Sequence, residues 1–272
     1  MKQRADSLLH QRGLAPSREQ AQRLIMAGRV YVGEVKVLKA AQQLEEDAAL
    51  IVRGDEQAFA SRGAHKIEKA LTHFEADVRG LVCLDIGAAS GGFTDALLRR
   101  GAALVYAVDV GYGQLDWRLR QDERVVVMER CNARTLTAEQ FLRKPQLTVM
   151  DVSFISIRLI LPVAAGLMGP EGRFLTLIKP QFEAGKGQVG KNGVVREETI
   201  HQRVLQEIRD FCPGFGWHVR GLTWSPIKGP KGNIEFLADI RPGEGAAPDD
   251  GAIAALVAEA HEQLKSTVHQ EE

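Results

Sequence analysis

At 272 residues, with 44% hydrophobic and 26% charged side chains, the chain has room for one larger and one smaller domain. That balance excludes a collagen, a coiled coil and a disordered tail. Lys and Arg number 35 against 35 Asp and Glu, yet residues 1–44 hold eight basic and three acidic side chains, and residues 243–272 hold seven acidic and one lysine. A neutral total therefore hides a basic head and an acidic tail.

The three cysteines, Cys83, Cys131 and Cys212, are far apart and form no C-x-x-C pair. Neither a disulfide framework nor a zinc site is expected, no other metal cluster stands out, and a reducing cytoplasm fits. No uncharged apolar run approaches the roughly 18 residues that span a bilayer, and the first residues lack a signal-peptide pattern, so no membrane partner is expected.

The head reads as two short helices and a hairpin. Residues 6–11 carry Leu8 and Leu9 and stop at Gly13. Ser17 with Gln20 forms a capping box for a second helix that ends at Gly28, with Ala21, Leu24 and Ile25 on one face and Arg18, Arg23 and Arg29 on or near the other. Val30 and Val32 alternate with polar neighbours, Gly33 and Glu34 turn the chain, and Val35 and Val37 alternate again. A short strand at 50–52 precedes a charged, loosely patterned linker at 54–62.

From residue 81 strands alternate with helices. Apolar β-rich runs occupy 81–86, 104–108, 125–128, 147–150, 174–178, 217–222 and 234–240, which predicts a doubly wound α/β sheet. After a Gly, Pro and Asp-rich break, Ile253, Leu256, Val257, Ala260 and Leu264 recur at helical spacing, so a terminal helix is expected to pack back.

The first strand of the sheet runs into "LDIGAASGGFTD". Glycines there let the backbone turn sharply and approach a ligand where open α/β sheets bind cofactors. The order D-x-G-x-x-x-G-G differs from the dinucleotide G-x-G-x-x-G, because Asp85 precedes the first glycine. A carboxylate at that point repels a pyrophosphate and suits an amino group. Asp109 ends the second strand where a carboxylate can accept from ribose hydroxyls, Asn132 follows the third strand near an adenine position, and Asp151 ends the fourth. Four such residues in register look like an S-adenosylmethionine site comprising Asp85, Gly87, Ala88, Ser90, Gly91, Gly92, Phe93, Asp109, Asn132 and Asp151. Singly, each glycine could only pack a helix and each Asp could only cap one.

Four further residues stand out: Lys66 in "SRGAHKIEKAL", Asp151 in "VMDVSFIS", Lys179 in "LIKPQFEAGKGQVG" and Glu235 in "GPKGNIEFL". Taken one at a time, each has an ordinary structural explanation as a solvated face, a strand end or an edge charge.

The head string "RADSLLHQRGLAPSREQAQRLIMAGRVYVGEVKVLKA" resembles the S4 RNA-binding domain. The chain as a whole is similar to the TlyA family of ribosomal RNA 2′-O-methyltransferases, whose second domain belongs with the FtsJ methyltransferases. That resemblance implies an S4-like α+β domain over 1–53 and a Rossmann-like S-adenosylmethionine-dependent methyltransferase domain over 63–272. It also implies a Lys-Asp-Lys-Glu tetrad at Lys66, Asp151, Lys179 and Glu235, and methylation of a cytidine in 23S rRNA. The terminal helix and the residues before the first helix resemble longer family members associated with both subunits, which adds 16S rRNA. Arg4, Arg18 and Lys39 match basic positions used on RNA. A Trp common before "SRG" is absent here, and Ala89-Ser90 stands where Ser-Thr is common.

Ribose methylation needs a lysine because a 2′-hydroxyl is a poor nucleophile at neutral pH and must be aligned and deprotonated. Lys179 is the candidate base, Asp151 and Glu235 would orient the lysines, and Lys66 would position the ribose or tune Lys179. Tyr112, Trp117, Lys228 and Lys231 could add stacking and phosphate contacts. The alternatives are a non-catalytic RNA-binding assembly factor on the same fold and a membrane-damaging hemolysin. Oligomeric state stays open, and a monomer is compatible.

Overall fold

The computed structural model describes residues 2–15, 17–52, 59–185 and 187–265, without the side chain of Lys191. The chain divides into two compact units, Met1–Ala58 and Phe59–Glu272. Of the linker expected at 54–62, residues 54–58 lie outside the described residues.

The smaller unit contains β1 (Lys2–Arg4), α1 (Ala5–Gln11), α2 (Arg18–Met26), β2 (Val30–Val32), β3 (Val35–Lys36), β4 (Gln43–Glu45) and β5 (Leu50–Val52). The Ser17 side chain accepts from Gln20 N at 3.2 Å and starts α2, satisfying one of the helix's orphan donors. β2 and β3 form the anticipated antiparallel hairpin, and β5 pairs on the other side of β2. β1 pairs with β4, a ladder the sequence did not announce because both strands are three residues long and mostly polar. Leu8, Leu9, Ala21, Ile25 and Val30 fill the core beneath.

The larger unit runs α3 (Ala64–His73), β6 (Val82–Ile86), α4 (Gly92–Arg99), β7 (Leu104–Val108), α5 (Trp117–Arg120), β8 (Val125–Met128), β9 (Leu147–Met150) and α6 (Leu161–Leu167). It continues with β10 (Arg173–Ile178), α7 (Pro180–Glu183), α8 (Glu198–Phe211), β11 (Trp217–Trp224), β12 (Phe236–Pro242) and α9 (Asp250–Lys265). One seven-stranded sheet has the order β11-β12-β10-β9-β6-β7-β8, with β12 antiparallel to both of its neighbours and the remaining pairs parallel.

The central strands are mostly apolar because both faces are covered, with Asp85, Thr148 and Thr176 as buried polar exceptions. Val82, Leu84 and Ile86 of β6 point into a core shared with α6, α8 and α9, while Cys83 between them points into the one beneath α3 and α4. α9 docks through Ile253, Val257, Ala260 and Leu264. At about 1.5–3 kcal/mol per large aliphatic side chain fully buried, that stripe is sufficient to hold it. His261 of α9 also meets His201 of α8, Nε2 to Nδ1 at 2.8 Å.

Candidate active site

The strand order reverses at β6, whose neighbours β7 and β9 lead away in opposite directions. The crevice beyond the carboxyl ends of the strands at such a point is where open α/β sheets take ligands. A cavity of about 330 Å³ lies there, lined on one side by the turn from Gly87 to Phe93 and on the other by Lys66, Asp151, Ser153 and Lys179.

Gly87 has φ +85°, and a Cβ on it would lie 2.6 Å from the Asp151 carbonyl oxygen. Any side chain there would push the turn off the end of β9, so glycine is required by both conformation and space. Ala89 also takes a positive φ, and its N–H donates to Asp109 Oδ2 at 2.8 Å. Gly111 N donates to Asp109 Oδ1 at 2.7 Å, so this one carboxylate ties the glycine-rich turn to the loop after β7.

Lys66 (α3), Asp151 (after β9), Lys179 (after β10) and Glu235 (before β12) meet in one cluster. Lys66 Nζ donates to Glu235 Oε2 at 2.6 Å and lies 3.7 Å from Asp151 Oδ2. Lys179 Nζ lies 2.5 Å from Asp151 Oδ1 and donates to Ser153 Oγ at 3.0 Å. Lys66 is 6% exposed, Lys179 7% and Glu235 0%. The result is an alternating array, Glu235, Lys66, Asp151, Lys179, in which two buried lysines alternate with two carboxylates. Burying the lysines alone would be prohibitive; paired and hydrogen-bonded, they are fixed in place. A Cβ on Gly229 would strike the Glu235 carboxylate, so the loop before β12 closes over the array only because residue 229 has no side chain.

The remaining sequence-predicted residues are placed differently. Ala88, Ser90, Gly92 and Phe93 line the cavity with Gly87, and Gly91 caps α4 in a left-handed conformation. Asp85 does not line it. Its side chain is fully buried, Oδ2 accepts from Thr94 Oγ1 at 2.6 Å, and Oδ1 has no partner among the described residues. Burial, reinforced by the charges of Asp151 and Asp109 and opposed by Thr94, pushes the Asp85 carboxyl up to about 7. Asp85 thus ties α4 to the end of β6 through Oδ2 and Thr94, with Oδ1 unpartnered among the described residues. Asn132 is exposed, and its Oδ1 accepts from Arg134 N at 3.1 Å. Tyr112 is exposed and stacks with Arg130, Trp117 is half-buried, Lys228 lines the cavity and Lys231 is exposed.

Sequence reasoning did not single out Ser153, Phe154, Gln181 or Glu183. Phe154 is 91% exposed with φ +65°, a conformation disfavoured for a bulky residue, and packs on Phe182 at 5.1 Å between ring centroids. Both rings and Gln181 line a second, wider groove of about 950 Å³ beside Lys179. Glu183, buried on α7, holds the Phe154 loop by accepting from Ser156 Oγ at 2.6 Å and Ile157 N at 2.8 Å. Gln181 Nε2 donates to Glu235 Oε1 at 3.1 Å. The only sequence signal was proximity, since all four residues lie within four positions of Asp151 or Lys179.

In the smaller unit, Arg4 and Arg18 both converge on Asp6, and Lys39 is exposed on the turn between β3 and β4. Among the described residues no cluster of His, Cys, Asp or Glu is arranged to hold a metal ion, and no helix is long and apolar enough to cross a membrane.

The switch-point crevice, the glycine-rich turn and the mixed sheet define a Rossmann-like methyltransferase. The chain belongs to the FtsJ-like methyltransferases, whose family model matches residues 59–240, and within them to the TlyA family, with an S4 domain matched at residues 3–50. It is 48% identical over 270 residues to YqxC of Bacillus subtilis, described as a candidate rRNA methyltransferase, covering 97% of this chain and 96% of that one. It is 47% identical over 239 residues to the 16S/23S rRNA (cytidine-2′-O)-methyltransferase TlyA of Mycobacterium tuberculosis, covering 88% and 89%. Among solved structures, a protein of Streptococcus thermophilus described as a candidate hemolysin matches with a TM-score of 0.76 at 42% identity over 99% of both chains.

Proposed function

We propose that this chain methylates the 2′-hydroxyl of a cytidine in ribosomal RNA with S-adenosylmethionine as donor, acting on 23S rRNA and, as a second substrate, 16S rRNA. The observation that carries this reading is that Lys66, Asp151 and Lys179, with Glu235 buried behind Lys66, meet in a cavity that the Gly87–Phe93 turn also lines. A crevice at the switch point, a glycine that must approach Asp151 closely and a carboxylate at the end of β7 fit an adenosyl ligand. Gly87, Ala88, Ser90, Gly91, Gly92 and Phe93 would hold it along the turn, Asp109 at the ribose and Asn132 at the base. Asp85 would support that turn from below through Thr94. When bound, the cofactor supplies an electrophilic sulfonium methyl.

Lys179 is the base. Asp151 and Ser153 fix two directions of its Nζ, and its unprotonated form accepts the 2′-hydroxyl proton on the cavity side. Glu235 holds Lys66, and Lys66 shares Asp151, so the array orients Lys179. Phe154 and Phe182 offer an aromatic surface for the nucleotide beside the reacting oxygen, and the basic head docks structured RNA. Transfer of radiolabelled methyl to purified rRNA, together with mapping of 2′-O-methyl groups on ribosomes from cells with and without the gene, tests the reading. Binding of rRNA without any transfer would make the chain an assembly factor instead.

A further inference from the structure

Asp6 is the centre of the small unit's polar structure. Its side chain is fully buried and accepts from Arg4 Nε at 3.0 Å, Arg4 Nη2 at 2.8 Å, Gln22 Nε2 at 2.9 Å and Arg18 Nη2 at 3.5 Å. The hydrogen bonds from Arg4, then those from Gln22 and the two guanidinium charges, hold this carboxyl well below the usual carboxylate range against the opposing effect of burial. Its own N–H donates to Ala40 O at 3.1 Å, so the turn that carries Lys39 is tied to the same residue. The bonds to Asp6 use Nε and Nη2 of Arg4 and Nη2 of Arg18, which leaves Nη1 of each arginine free of Asp6. The two arginine side chains are 42% and 53% exposed.

A guanidinium on an unrestrained surface arginine loses rotamer freedom when it grips an anion, and that loss subtracts from binding. Here a buried carboxylate already holds two of them through one edge while each side chain stays about half exposed, and the same residue tethers the turn that carries Lys39. A guanidinium fork with one edge occupied still offers N–H donors to phosphate oxygens. We infer that Asp6 is the positioning residue of a phosphate clamp formed by Arg4, Arg18 and Lys39, whose ligand is the phosphodiester backbone of RNA. This rests on the RNA-docking reading above and adds a claim that charge alone contradicts. Asp6 is negative and lies next to the site, so on electrostatics its removal should tighten the grip on a polyanion; as a positioning residue, its removal must loosen it.

The test uses the full-length protein with purified 23S rRNA at several salt concentrations. Asp6→Asn is expected to weaken binding by about five- to tenfold although it adds one positive charge, as loss of roughly one organised charge-assisted contact does. Its salt slope should fall by about 1, as for Arg18→Gln. In methyl transfer KM for RNA should rise with kcat unchanged at saturation, because the tetrad is not touched. A double-mutant cycle of Asp6→Asn with Arg18→Gln separates positioning from scaffolding: the two losses should be markedly less than additive. Equal or tighter binding by Asp6→Asn, or additive losses, overturns the inference. If Arg4→Gln and Arg18→Gln leave affinity unchanged, it is the docking reading that falls. Should Asp6→Asn unfold the small unit, Gln22→Leu removes one tether at constant charge, and a weakening of about two- to threefold is expected, with none overturning the inference.

Discussion

Lys66 Nζ and Glu235 Oε2, 169 positions apart in the chain, meet at 2.6 Å in the interior of the larger unit. One sits on the helix that covers the sheet and the other just before the antiparallel strand that follows β11, so their contact reports whether α3 and β12 are both seated. It also lets Asp151, 3.7 Å from Lys66, serve two lysines without a net buried charge.

Removing the carboxylate alone should therefore be costly. Glu235→Gln strands a buried cation, and about 3 kcal/mol of stability is expected to be lost together with nearly all methyl transfer. Replacing both partners, as Lys66→Met with Glu235→Leu, should recover most of the stability and none of the activity. Urea midpoints and transfer assays on the same preparations check this; recovery of activity in the double variant would remove the pair from the chemistry.

Lys179→Ala should abolish transfer while leaving affinity for S-adenosylmethionine nearly unchanged, because the proposed role lies in the proton transfer. Calorimetric titration with the cofactor and single-turnover transfer separate the two effects. A large loss of cofactor affinity would reassign the residue to binding.

Glu183 touches neither the cavity nor the tetrad, yet it pins the loop that presents Phe154. Glu183→Gln keeps one acceptor for Ser156 or Ile157 and loses the ion pair with Arg158, at 3.4 Å. Looser placement of that loop should lower kcat/KM for RNA on the order of tenfold, with cofactor binding intact. An unchanged kcat/KM would show that the loop holds its conformation by other means.

The His201–His261 contact makes stability depend on pH. Burial, aided by the neighbouring His261, brings His201 from 6.5 down to about 4. Between those values the unfolded chain binds the proton that the folded chain refuses, so stability rises with pH across the window. The contribution is complete above about pH 6.5 and is lost as the pH falls toward about 4. Urea midpoints measured from pH 7 to pH 4 should decline, and His201→Gln should flatten the decline whatever it does to the plateau.

Much of the architecture was legible in the residues. Predominantly apolar runs such as Val82–Ile86 and Leu147–Met150, each holding a single polar residue, suit strands buried on both faces, and both form central strands. Ser17 with Gln20 set the start of α2, and the spacing from Ile253 to Leu264 marked the stripe by which α9 docks. Each signal acts over a few residues, where backbone geometry and side-chain period alone decide the outcome. β1 and β4 were not legible, since three-residue strands with at most one apolar side chain carry no period.

The site divides along the same line. The glycine-rich turn could be read because such a motif is local, whereas the grouping of Lys66, Asp151, Lys179 and Glu235 was implied only by the family resemblance, since residues up to 169 positions apart carry no common local signal. That Asp85 would be buried under the turn, that Glu183 would hold Phe154 in the open and that Asp6 would gather Arg4 and Arg18 could not be read. Those facts depend on which strands neighbour one another and which side chains lose their water. Sheet order and burial are settled by packing across the whole chain, so only the folded molecule decides the distances that the chemistry uses.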